Sequence, residues 1–160
     1  MNKYVFGACV VASIMAVPAQ AKPSTTQKCT AVQPAEIESL FTDFNNAWAS
    51  KSPDMVTQLF TKDAVLLATV SNTPRTDHAG IRDYFFGFLK PSPVGTINSS
   101  TVKLGCNSAA RVGTWTVTVT DPSTGATTDI KARYSFLYRI EDGKWKIDHL
   151  HSSMMPEKTG

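Results

Sequence analysis

The sequence predicts an α+β fold, a curved, mostly antiparallel sheet wrapped around three helices. Three observations predict it. Apolar residues at helical spacing come early, over about residues 34–60 and 77–89, and strand-like alternation fills most of 96–152. No repeat, low-complexity tract or linker divides the chain. Long antiparallel strands that follow helices set those helices on one face of the sheet, which curls around them and leaves a conical hollow.

The 160-residue chain opens MNKYVFGACVVASIMAVPAQA, with Lys3, an apolar run from Tyr4 to Val17 and a small-residue Ala19-Gln20-Ala21. This is expected to be a secretory signal peptide over 1–21, cleaved near Ala21. The run is short and wrongly flanked for a membrane span, although a retained anchor is the alternative. The expected location is periplasmic or secreted, with no membrane contact after cleavage. Setting Lys3 aside leaves 15 basic and 13 acidic residues. That near-neutral balance, with no basic face, gives no case for a nucleic-acid partner.

Residues 22–33 are polar and aperiodic and read as a flexible lead-in. Cys9 leaves with the leader, so Cys29 and Cys106 remain. An even pair in an oxidising compartment is expected to form a disulfide, the alternative being two free buried thiols. Pro34, Glu36 and Glu38 start a first helix, and Ile37, Leu40, Phe41, Phe44 and Trp48 form its stripe. Ser52-Pro53-Asp54 restarts a helix, with Met55, Val56, Leu59 and Phe60 as its buried face. AVLLATV (64–70) reads as a buried strand and SNTPRT as a loop.

Thr76 or Asp77 caps a third helix whose inner stripe is Ile81, Tyr84, Phe85, Phe88 and Leu89, ended by Pro91, Pro93 and Gly95. Residues 96–106 alternate weakly, and ARVGTWTVTVT (110–120) is strand-rich in Thr and Val. In IKARYSFLYRI (130–140), Ile130, Ala132, Tyr134, Phe136, Tyr138 and Ile140 share one face, and Arg133 lies on the other. EDGK is a hairpin turn, and WKIDHLHS (145–152) is the last strand. Residues 34–156 thus form a single domain, and 157–160 a tail.

This order and the stretches FTDFNNAWASKSPDMVTQLFTKDAVLL, VSNTPRT, IRDYFFGFL, ARYSFLYRIEDGKWKIDHLHSS and MMP resemble the nuclear transport factor two-like (SnoaL-like) superfamily. They resemble most narrowly the association (hub) domain of calmodulin-dependent protein kinase II and its small secreted bacterial relatives. The resemblance implies a cone-shaped fold, self-association through the sheet as a homodimer or larger ring, and often a small-molecule pocket in the cone. It implies no kinase activity, since the chain lacks a glycine-rich ATP loop and a kinase catalytic loop. Trp115, Phe136 and Ser152 stand where the hub carries pocket arginines.

The chemistry-bearing candidates concentrate in the last strands. On a regular strand His149 and His151 share a face with Trp145 and Ile147, and Asp148 points the other way. The two histidines could chelate a metal, act as acid–base groups near neutral pH, or line an interface or cavity. Metal needs a third ligand, for which His78 and Asp148 are available, but Asp148 points to the opposite face, so no metal is expected, and no motif calls for a cofactor. Asp148 in an apolar hollow could abstract a proton next to a carbonyl, with Tyr84, Tyr134 or Tyr138 steadying the enolate oxygen. The alternative for Asp148 is an ion pair with a nearby base.

Arg133 could hold a carboxylate in the hollow if a β-bulge turned it inward, or it could form a surface ion pair. Arg82 on the third helix has the same two alternatives, and Arg75 either closes a pocket rim or is solvated. The aromatic set Trp48, Tyr84, Phe85, Trp115, Tyr134 and Phe136 is core that would line any gap in the cone. Met154 and Met155 read as a tail that packs on a neighbour. The expected function is a self-associating module that binds a small apolar or amphipathic molecule through Tyr84, Trp115, Arg133, Tyr134, His149 and His151. The alternative is a cofactor-independent isomerase, cyclase or dehydratase using Asp148, His149 or His151.

Overall fold

The computed structural model describes residues 28–156. The expected leader 1–21, the first half of the lead-in and the tail 157–160 lie outside them. The elements run α1 (Pro34–Ala49), α2 (Pro53–Thr57), β1 (Phe60–Leu67), α3 (His78–Phe88), β2 (Val94–Gly105), β3 (Ser108–Thr120), β4 (Thr127–Glu141) and β5 (Lys144–Met154). The five strands form one sheet in the order β1-β5-β4-β3-β2. Only β1 pairs parallel, with β5, and the other pairs are antiparallel. The expected α+β fold is therefore the observed one.

Local chemistry sets the helix starts. Pro34 occupies the first turn of α1, where its missing N–H costs nothing. Ser52 caps α2 by accepting from the Met55 N–H, and Asp77 caps α3 by accepting from Gly80 N at 2.7 Å. Two sequence expectations need correcting here. Met55 is 51% exposed, because the five-residue α2 buries only Val56 and Thr57. β1 begins at Phe60 rather than Ala64, since Phe60, Thr61 and Ala64 are all buried under the helices.

The hairpins follow from their turns. Asp142 (φ 53°) and Gly143 (φ 73°) both adopt positive φ between the paired Glu141 and Lys144, the two-residue turn that matches strand twist. The β2–β3 turn carries Cys106, bonded to Cys29 across 77 residues of chain. Asn107 in that turn also accepts from Thr30 N and donates to Lys28 O. The described part of the lead-in is thereby fastened to the end of the sheet.

The inner face of the sheet meets α1 and α3 through aromatic rings. Phe44 contacts Trp48, Phe60, Phe85 and Phe136, with centroids 4.8–6.3 Å apart and mostly tilted or edge-on. Trp115 packs against Phe41, Trp48, Tyr134 and Phe136. Such pairs contribute about 0.5–1.5 kcal/mol each beyond area burial. They also fill the space they enclose.

Candidate functional site

One irregularity decides where the candidate residues go. Tyr138 of β4 faces Ile147 of β5, but the next residue back, Leu137, faces His149. Asp148 is thus an extra residue in β5, a β-bulge, and it reverses the alternation beyond it. Ile147 points into the core, and so do Leu150 and Ser152, all at most 5% exposed. His149 and His151 face outward. The expected face shared by Trp145, Ile147, His149 and His151 does not exist, because the strand is not regular. A bulge was expected as the way to turn Arg133 inward. It lies in β5 instead, and Arg133 stays on the outer face, exposed, opposite Thr114 and Ser153.

Asp148 also lies outside the cone. Its Oδ1 is 2.9 Å from Arg139 Nε, an ion-pair distance without hydrogen-bond alignment, and it accepts from Thr61 Oγ1 at 3.2 Å. Arg139 further pairs with Asp63 and Glu141, and Glu141 with Lys146. The carboxylate is therefore engaged in an ion network at the outer sheet surface, the alternative weighed from the sequence. His149 is held below the ordinary imidazole range, first by burial and then by the neighbouring His151, with Asp148 opposing. Among the described residues no three His, Cys, Asp or Glu side chains gather as a metal set.

The expected hollow is nearly full. Between Trp48, Leu66, Tyr84, Phe88, Trp115 and Ser152 there is a gap of ≈ 20 Å³, enough for about one water. Ser152 Oγ there accepts from Trp115 Nε1 at 3.0 Å and from Thr69 Oγ1 at 2.5 Å, whereas Trp48 Nε1 is buried without a hydrogen-bond partner among the described residues. Of the expected ligand-binding residues, Tyr84 and Trp115 border the gap. Tyr134 is buried beside it, donating to Ser99 O at 2.9 Å. The Arg75 guanidinium lies over the Tyr84 ring at 5.7 Å, and burial pushes the Tyr84 phenol up. Arg82 instead pairs with Asp54 on the surface.

Two features escaped the sequence reading. Arg111 is 6% exposed on the inner face of β3. It donates Nε to Ser100 Oγ and Nη1 to Glu38 O, both at 2.9 Å, and its guanidinium covers the Phe41 ring. It clamps β3 to α1. Period-two counting in ARVGTWTVTVT places it on the Trp115 face, so the signal was present. The second is a groove of ≈ 370 Å³ between α1 and the β4–β5 hairpin, lined by Glu36, Leu40, Asp43, Leu59, Tyr138 and Trp145 among others. No strand or helix pattern joins residues 36–43 to 138–147.

The outer face is continuous across the sheet. One cross-strand row reads Val65, His149, Leu137, Ala110, Lys103, and the next reads Leu67, His151, Ser135, Val112, Thr101. Leu137, at the centre, is 41% exposed. Among the described residues no helix is long and apolar enough to cross a membrane. The Cys29–Cys106 bond is compatible with an oxidising, exported location.

Comparison with known proteins agrees with this architecture. No curated protein matches the chain. A Xanthomonas campestris protein described as a calcium/calmodulin dependent protein kinase II association domain is 42% identical. That match covers 83% of this chain and 99% of that one, with a TM-score of 0.74. A nuclear transport factor 2-like superfamily protein from Salmonella enterica serovar Typhimurium is 19% identical over 79% of this chain and 92% of its own, with a TM-score of 0.67. A hexachlorocyclohexane dehydrochlorinase of type 2 is 17% identical over 76% and 84%, with a TM-score of 0.64. The last two show the shared fold alone. The calcium/calmodulin dependent protein kinase II association domain matches residues 33–156, and with the Xanthomonas likeness this establishes that the chain belongs to that family, within the nuclear transport factor 2-like fold.

Proposed function

We propose that the protein is exported and works as a self-associating module, docking a second copy against the outer face of its sheet. The observation that carries this reading is the pair of rows through Leu137 and Ser135, which bring Val65, Leu67, Ala110 and Val112 into one outward surface around two histidines. Half-buried β-branched and Leu side chains on a broad, uncovered sheet face gain from being removed from water, at about 25 cal/mol per Å². The family name of association domain and the leader-like opening agree with the reading. The acid–base alternative is weaker, since the cone has room for about one water and Asp148 is paired with Arg139 outside it.

The test is the mass of the exported protein by light scattering across micromolar concentrations. Two or more copies are expected. Leu137→Asp places a charge at the centre of the face and should weaken association by about tenfold or more, ~1.4 kcal/mol, with the melting temperature kept. A monomer at every concentration would reject the proposal.

A further inference from the structure

We propose that the groove between α1 and the β4–β5 hairpin is a binding site for a small organic cation, an amine carried on an apolar or aromatic body. The groove is distinct from the cone interior and from the outer sheet face. Its ≈ 370 Å³ falls in the size range of small-molecule sites, whereas the cone gap has room for about one water. Leu40, Leu59 and Ile147 give it an apolar floor.

Charge and aromatic surface select the ligand class. Glu36 and Asp43 stand seven residues apart on α1, two turns along the same helical face, and both line the groove. Among the described residues Asp43 has neither an ion pair nor a hydrogen bond, and Glu36 is held only by a neutral donor, Trp145 Nε1, at 3.1 Å. That hydrogen bond anchors the indole at the groove, where its face suits a cation. The cation in the lining is Lys144, an exposed side chain at the start of β5. A groove with two carboxylates against one mobile ammonium attracts positive charge, in a chain that is otherwise slightly basic.

A tyrosine in the lining points the same way. Tyr138 lines the groove yet is 3% exposed, its ring stacked on Phe136 with centroids 5.7 Å apart. Among the described residues its hydroxyl makes no hydrogen bond. Burial pushes its ionisation well above the ordinary phenol range, so it stays a neutral O–H with a free acceptor lone pair. Where it meets the groove, a hydroxyl without a partner among the described residues can accept from a ligand ammonium with several N–H donors.

The experiment is calorimetric titration of the full exported protein with 2-phenylethylammonium and with its neutral isostere 2-phenylethanol at pH 7. Saturable binding of the amine, about tenfold tighter than the alcohol and weakened by salt, is expected. Glu36→Gln combined with Asp43→Asn should remove the preference for the amine. Both positions are exposed, so folding is kept, as a melting curve will show. Tyr138→Phe should weaken the amine several-fold without lowering the melting temperature. Equal affinity for amine and alcohol, or no saturable binding of the amine at millimolar concentration, would overturn the proposal. So would a fall in oligomer mass in the double variant with no change in amine binding, which would make the groove a contact between copies. The Leu137→Asp variant should bind the amine unchanged, which separates this site from the association reading.

Discussion

Leu137 of β4 faces His149 of β5, one residue out of the register that Tyr138 and Ile147 keep. That offset puts His149 on the outer sheet face beside His151, partly buried and with its pKa lowered. A histidine whose folded pKa lies below its unfolded value of ~6.5 lets the unfolded chain bind the proton first as pH falls. Stability is then fully present above about pH 6.5 and declines as pH drops through that value toward the folded pKa. The urea midpoint should therefore fall on going from pH 7.5 to pH 5.5, and His149→Gln should flatten part of that fall. A midpoint that rises on acidification, with His149→Gln removing the rise, would show the opposite sign.

Ser152 holds the indole N–H of Trp115 at a position 5% exposed, and Trp115 itself is 2% exposed. Ser152→Ala leaves that donor buried without its acceptor. The expected cost is about 1–3 kcal/mol, read from chemical denaturation. A change within about 0.5 kcal/mol would mean that water from the adjoining gap replaces the hydroxyl.

The Cys29–Cys106 bond closes 77 residues. In the chain-entropy account a loop of that length stabilises by roughly 4–5 kcal/mol. Alkylation of the exported protein without reduction should label neither cysteine. The Cys29→Ser, Cys106→Ser double variant should melt at a lower temperature, with the sheet retained by circular dichroism. Labelling of both thiols in the native protein would contradict the bond.

What the sequence determined by itself was everything that local periodicity and turn chemistry control. The stripe Ile37, Phe41, Phe44, Trp48 can bury only as a helix face, and Ala132, Tyr134, Phe136, Tyr138 only as one side of a strand, and all are at most 7% exposed. Asp142-Gly143 dictated its own turn. The cysteine pair was legible from its count after the leader was set aside. Tertiary structure decided the site. Ile147 and Leu150 lie three apart, an apolar spacing that marks a bulge, yet only pairing against Leu137 and Tyr138 shows which residue is extra. That single residue sends His149 and His151 outward, to the face Asp148 already occupies, because every side chain beyond a bulge changes face. Whether a ring of aromatic residues leaves a hollow depends on how their volumes interlock, which no period encodes. The groove beside Trp145 likewise joins residues about a hundred positions apart, and only packing α1 against the last hairpin creates it.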